Sequence, residues 1–239
     1  MNFTFPAIGI VHSCFKEKFG IPRQPGLAPL ARGEIELLPP YDDPDALAGL
    51  EGTSHLWVEF VFHANRREDW KARVKPPRLG GNKTLGVFAT RSPTRPSPIG
   101  LSVVRLHDWE QREGKLFIRI SGLDLLDGTP VLDIKPYIPY ADCVLAAENH
   151  VAPEPPAAIP VTIPAEWMAF CVAYWKTRDI DLAGLITQVL QQDPRPQYQE
   201  PEPGRVYGMK LLDLDVRWQY RVDPGNTYSI QLTQLLPLA

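Results

Sequence analysis

Twenty-six prolines are spread along 239 residues, and they set the first limit on what this chain can fold into. A proline inside a helix removes a hydrogen bond and collides with the preceding turn, whereas strand edges and turns tolerate it. So dense a punctuation favours many short strands joined by stiff turns over long helices. The clearest strand is SHLWVEFVFH, where Leu56, Val58, Phe60 and Phe62 alternate with Trp57, Glu59, Val61 and His63. AIGIVHS, GEIELLP, LGVFAT, LSVVRL, KLFIRISGLDLL and PVLDIKPY are further strand candidates. A short helix is expected in DPDALAGLEG, with Asp43 as N-cap and Pro44 at the first helical position. Many strands, few helices and no βαβ alternation predict an antiparallel sheet or barrel over residues 1–148.

The pattern changes after the proline-rich stretch at residues 149–160, which reads as a linker. PAEWMAFCVAYWKTR and DIDLAGLITQVLQQ carry helical apolar spacing. RVYGMKLLDLDVRWQYRVDPGNTYSIQLTQLL then reads as strands with a turn at Asp223-Pro224-Gly225-Asn226. A small α+β domain at residues 161–239 is therefore expected.

A hydrophobic share of 44% supports a sizeable core, and no run approaches the roughly 18 apolar residues of a membrane span. The opening MNFTFPAIGIVHS has no basic stretch leading into an apolar one, so no secretory signal is visible. Cys14, Cys143 and Cys171 are odd in number and scattered, which fits reduced thiols and a cytoplasmic setting. The net charge of −3 argues against a generally basic nucleic-acid binder. Between Arg66 and Arg105, however, ten lysines or arginines face two acids. Such a local patch suits a phosphate backbone, although a solvated charged face has the same composition.

Familiar catalytic signatures are missing. LGGNKT lacks phosphate-loop spacing, no GxGxxG follows a strand, and the five histidines and three cysteines do not fall at metal-ligand spacing. What remains are stiffened polar clusters at strand ends. GIPRQPG holds Arg23, Gln24 and Pro25; FVFHAN ends on His63 and Ala64; ATRSPTRPSPIG sets Arg91 and Arg95 among Pro93, Pro96 and Pro98. SGLDLLDGTPVLDIKPY carries Asp124, Asp127, Asp133 and Lys135. Each has a plainer reading: Asp127 as a former of the DGTP turn, Lys135 as a partner of Asp133, His63 as a rim residue. Together they describe a rim built to hold a ligand.

FKEKFGIPRQPG, GLEGTSHLWVEFVFH, VKPPRLGG, GVFATRSPTRPSPIG and LDLLDGTPVLDIKPYIPY occur in the order and with the spacing seen in one family. On these motifs, which span about residues 5–145, the chain resembles the tRNA threonylcarbamoyladenosine N6-methyltransferases, the TsaA-like or YaeB-like group. QDPRPQY and YGMKLLDLDVRW resemble the carboxy-terminal part of bacterial members. Ser97 stands where that family usually has Asn.

The resemblance implies a single-sheet β-barrel, S-adenosylmethionine as cofactor, a tRNA anticodon loop as substrate, methylation at position 37 and a homodimer. It places the cofactor against Arg23, Gln24, Pro25, His63, Ala64, Arg91, Leu101, Gly122, Leu123, Asp124 and Leu125. Leu101 and Leu123 are expected to sandwich the adenine. Candidate bases for the acceptor nitrogen are Asp127, Asp133 and His63, and candidate phosphate contacts are Lys75, Arg78, Lys83, Arg95 and Arg195. No metal is expected. Two other readings stay open on the sequence: an RNA-binding module without catalysis, and an S-adenosylmethionine-dependent enzyme acting on a small molecule.

Overall fold

The computed structural model describes residues 2–65, 70–76, 83–195, 199–202, 204–223 and 227–238. Alternation in the sequence becomes strands β1 (Gly9–Ser13), β2 (Arg32–Leu37) and β3 (His55–Val61). A two-stranded ribbon follows, β4 (Arg73–Val74) with β5 (Leu85–Gly86). Then come β6 (Ile99–Arg112), β7 (Lys115–Ser121) and β8 (Thr129–Pro136). Six of these close into an antiparallel barrel in the order β1-β2-β7-β6-β3-β8. The registers agree with the alternation: Leu56 pairs with Val104 and Val11 with Ile35, and all four are buried in the barrel. A barrel this narrow is filled by its own side chains, so ligands must be met at an end.

LGVFAT departs from the strand expectation: it pairs only at Leu85–Gly86 and then winds into a 3-10 turn at Val87–Ala89. KLFIRISGLDLL is strand only to Ser121, because Gly122 adopts φ 72, a left-handed conformation that ends the ladder. DPDALAGLEG forms two 3-10 segments, Pro44–Leu47 and Leu50–Gly52, rather than one helix, and the Asp43 side chain caps the first by accepting from the Asp45 N–H.

Beyond β8 lie α1 (Pro139–Asp142) and an exposed, irregular stretch that ends at β9 (Val161–Thr162). Two expected helices form, α2 (Ala165–Arg178) and α3 (Leu182–Leu190), the latter capped by the Asp181 carboxylate accepting from the Gly184 N–H. The sheet β10 (Val206–Leu211), β11 (Leu214–Asp223), β12 (Thr227–Pro237) takes β9 on its outer edge, parallel to β12. The expected turn at 223–226 lies outside the described residues from Pro224 to Asn226.

The two parts share one apolar core. Trp218 of β11, fully buried, lies between Phe19 of the β1–β2 loop and Tyr207 of β10, with ring centroids at 5.9 and 6.0 Å. Leu212 N–H donates to the Cys14 carbonyl at 2.7 Å, and Phe15 bridges to Leu211. All three cysteines are free. Among the described residues no helix is long and apolar enough to cross a membrane.

Candidate active site

One end of the barrel collects the end of β3, the starts of β6 and β8, and the loops after β1 and β7. A cavity of about 580 Å³ opens there, within the roughly 300–1,000 Å³ usual for small-molecule sites. Its walls come from Ile21–Pro25, Phe60–Asn65, the proline-rich loop carrying Arg91, Arg95 and Ser97, Ile99–Ser102, and Asp124–Leu126. Three of the clusters that the sequence marked as stiff and polar, and Asp124 of the fourth, are thus brought to one place.

Gly100 makes room for part of this wall. A Cβ there would stand 2.2 Å from the Phe60 ring, so only glycine allows Phe60 to cross the barrel mouth. The β3–β8 register also shifts between Glu59 and Phe60, a bulge of the kind that re-aims side chains beside a site.

The polar centre is compact. Ser102 Oγ donates to Asp124 Oδ1 at 2.6 Å, and Arg91 Nη1 donates to Gln24 Oε1 at 2.7 Å. Burial pushes the Asp124 carboxyl up to about 6, against the Ser102 hydrogen bond and the Arg91 charge, which pull it down. Lys18 bridges the β1–β2 loop to the turn after β3, donating to the Ala64 carbonyl and, at 2.8 Å, to Asn65 Oδ1. Leu101, 51% exposed, and Ile99, 39% exposed, add an apolar lip to the opening.

Of the sequence-predicted cofactor residues, Arg23, Gln24, Pro25, His63, Ala64, Arg91, Leu101, Asp124 and Leu125 line this cavity. Gly122 and Leu123 do not. Leu123 is packed in the barrel core against Gly33 and does not border the cavity, so its side chain does not meet an adenine held there by Leu101. The left-handed turn at Gly122 sends Leu123 inward and leaves Leu125 on the cavity wall.

Of the three candidate bases, only His63 faces the cavity. Asp127 is occupied in closing the end of β1: it accepts from the Ser13 N–H at 2.7 Å and pairs with Lys16 at 3.0 Å. Asp133 lies on the barrel exterior, where Lys135 joins it to Glu59. Both aspartates therefore take the plainer structural roles.

Among the candidate phosphate contacts, Lys75 and Lys83 are exposed at the β4–β5 ribbon, and Arg78 lies outside the described residues. Arg95 lines the cavity and donates to the Thr90 carbonyl at 3.3 Å. Arg195 is a correction: it is 8% exposed, ion-paired to Asp193 at 3.1 Å and set over the Tyr220 and Tyr228 rings. A guanidinium so enclosed serves packing rather than RNA.

Sequence reasoning missed Lys18, Phe60 and Ser102 as cavity residues. Ser102 did leave a signal, since it is a polar residue in phase with the buried positions Gly100, Val104 and Leu106 of β6.

A closed antiparallel barrel with a cavity at one end, walled by apolar and polar side chains, sets this protein among the β-barrels and apart from the Rossmann type of cofactor domain. The chain belongs to the tRNA-methyltransferase O family. That family's N-terminal domain model matches residues 10–143 and its C-terminal domain model residues 156–234. The chain is 46% identical over 220 residues to the Escherichia coli "tRNA (adenine(37)-N6)-methyltransferase", covering 91% of this chain and 93% of that one. It is 54% identical over 220 residues to a Pseudomonas aeruginosa protein named "Putative S-adenosylmethionine-dependent methyltransferase RcsF", covering 92% and 94%. The crystal structure of TrmO from Pseudomonas aeruginosa superposes with a TM-score of 0.80 at 46% identity, over 98% of each chain.

Proposed function

We propose that this chain is an S-adenosylmethionine-dependent tRNA methyltransferase acting on N6 of adenine 37, with the threonylcarbamoylated base as its substrate. The observation that carries this reading is the cavity itself: a mostly buried Asp124, an Arg91–Gln24 pair and an apolar lip at one mouth. Those groups match the cofactor's parts. Asp124 suits its ammonium or ribose hydroxyls, Arg91 its carboxylate, and the exposed Leu101 one face of its adenine.

When bound, S-adenosylmethionine supplies an electrophilic methyl group on a sulfonium. The protein's share is positioning and proton removal. The loops at the mouth orient the donor for in-line attack, where a well-held geometry contributes several kcal/mol, about 7–11 at most. His63, at the turn after β3, is the base we assign to the acceptor N–H.

Lys75 and Lys83 on the ribbon, with Arg95 at the mouth, are the proposed contacts to the anticodon-loop phosphates. Trp70 and Phe88, 54% and 76% exposed at the base of the same ribbon, present ring faces on which unpaired bases can stack. We further propose that two copies pair across the outer face of β6, where Ile99 and Leu101 lie bare beside the cavity, and that the stretch 149–160 joins the two parts of each copy. A tRNA substrate is what supports assigning the protein to the cytoplasm.

The test is mass analysis of nucleosides from tRNA incubated with protein and S-adenosylmethionine. A new methylated threonylcarbamoyladenosine is the expected product, and its absence with an intact cofactor supply would reject the reading. Leu101→Glu is expected to shift the protein to a monomer by light scattering.

A further inference from the structure

The wall of the cavity formed by Arg23, Gln24 and Pro25 is held mainly from outside the barrel. Arg23 Nη2 donates to the main-chain carbonyl of Arg195 at 3.1 Å and to that of Asp193 at 3.4 Å. Gln192 Nε2 donates to the Leu27 carbonyl, and the Leu30 N–H donates to Gln188 Oε1, each at 2.8 Å. The barrel adds a bond from the Gly26 N–H to the Gly122 carbonyl at 2.8 Å and the one from Arg91 to Gln24 at 2.7 Å.

The segment that receives Arg23 is itself built into a buried cluster. Asp193 has φ 52, a left-handed conformation that a non-glycine residue adopts only where its surroundings hold it. Its carboxylate accepts from the Tyr220 hydroxyl at 2.8 Å and pairs with Arg195 at 3.1 Å. Arg195 donates in turn to the Gln199 carbonyl and lies over the rings of Tyr220 and Tyr228. Burial, then the neighbouring Asp193 charge, pushes the Tyr220 hydroxyl up, so it remains a neutral donor. This arrangement fixes two carbonyls in the direction of Arg23.

We infer that the carboxy-terminal part is a positioning device for the cofactor: through Asp193, Arg195 and Tyr220, and through Gln188 and Gln192, it pre-sets the Arg23–Pro25 wall before the cofactor arrives. The inference rests on the proposed cofactor site. Its physical basis is preorganisation. A ligand's apparent affinity falls by the fraction of molecules whose site is competent, so loosening the wall weakens binding without altering the chemical step.

The experiment is calorimetric titration of the full chain with S-adenosylmethionine, paired with steady-state kinetics on tRNA. Gln188→Ala/Gln192→Ala removes two anchors at partly exposed positions of α3 and its end. Tyr220→Phe removes one hydroxyl from the buried cluster. The Gln pair is expected to raise the cofactor Kd and KM about fivefold to tenfold, and Tyr220→Phe about threefold. In both, kcat at saturating cofactor and the KM for tRNA stay within twofold of wild type. Unchanged cofactor affinity in a folded Gln188→Ala/Gln192→Ala protein would overturn the inference. So would an equal loss in kcat and in tRNA KM, the signature of general destabilisation. A wild-type protein that binds no S-adenosylmethionine would instead reject the cofactor site itself, and tight wild-type binding separates the two failures.

Discussion

Two loops meet at the Gln24–Arg91 hydrogen bond, and they are held in opposite ways. The loop between β1 and β2, which brings Gln24, leans on distant chain: Gln188, Gln192, Asp193 and Arg195 bond to it, and Phe19 stacks on Trp218. The loop before β6, which brings Arg91, holds itself. Thr90 Oγ1 donates to the Val87 carbonyl at 2.8 Å and accepts from the Ser92 N–H at 3.2 Å. Ser92 Oγ accepts from the Thr94 N–H, and Arg95 reaches back to the Thr90 carbonyl. Prolines and these local bonds stiffen it, whereas the first loop, with Pro22, Pro25 and Pro29 of its own, also leans on α3, the segment after it and Trp218. One wall of the site is thus a product of tertiary structure, and the other of local chemistry.

The contrast can be broken most strongly at Trp218. Trp218→Ala empties a fully buried site shared by the carboxy-terminal sheet and the first loop, and should cost about 3–5 kcal/mol in urea denaturation. Cofactor binding is expected to fail at lower urea than the barrel's own unfolding, because the supported loop goes first. If both are lost together, the loop does not depend on its outside support.

Arg91→Ala should act in the reverse sense. It removes the Gln24 partner and a charge at the mouth, so cofactor affinity should fall about 30-fold, the equivalent of roughly 2 kcal/mol for a charge-assisted contact. The melting temperature should hardly move, since the loop's own bonds remain. Calorimetry and thermal melts on the same sample check both halves.

The buried carboxyl gives a pH prediction. Asp124 titrates near 6 in the free protein, raised by burial, and a cationic ligand favours its ionised form. Affinity should therefore be full above pH 7 and fall about tenfold for each unit below 6. The stability effect has the opposite sign: the folded state binds this proton more tightly than the unfolded chain, so between about pH 4 and pH 6 this group destabilises the fold progressively as pH rises. Asp124→Asn should remove the steep low-pH fall in affinity, read from cofactor titrations at several pH values.

The smallest effect belongs to the self-held loop. Thr90→Val deletes two side-chain bonds and should lower stability by about 1 kcal/mol, with cofactor affinity down less than fivefold. A loss as large as that of Arg91→Ala would mean that the loop is held less by its prolines than by this one hydroxyl.

What the amino-acid order determined by itself was periodic and local. Leu56, Val58 and Phe60 recur at the period of a strand and turn into the barrel. Asp43 caps, Gly122 ends a ladder, and the prolines around Arg91 stiffen a loop, each through the geometry of its own few residues. Nine of the eleven residues that the family resemblance assigned to the cofactor line the cavity, because its motifs fall at strand ends.

Tertiary structure decided which of two like residues does which job. Asp124 and Asp127 stand three apart in one stretch, yet one enters the cavity beside Ser102 and the other ties down Ser13 and Lys16. Leu123 and Leu125 are both fully buried in the core, yet only Leu125 borders the cavity. Arg195 reads as an RNA contact in the proline-flanked motif QDPRPQY, but partners 25 and 33 residues away, Tyr220 and Tyr228, enclose it. Burial and partner choice depend on chain that arrives from far along the sequence, and no local pattern records that arrival.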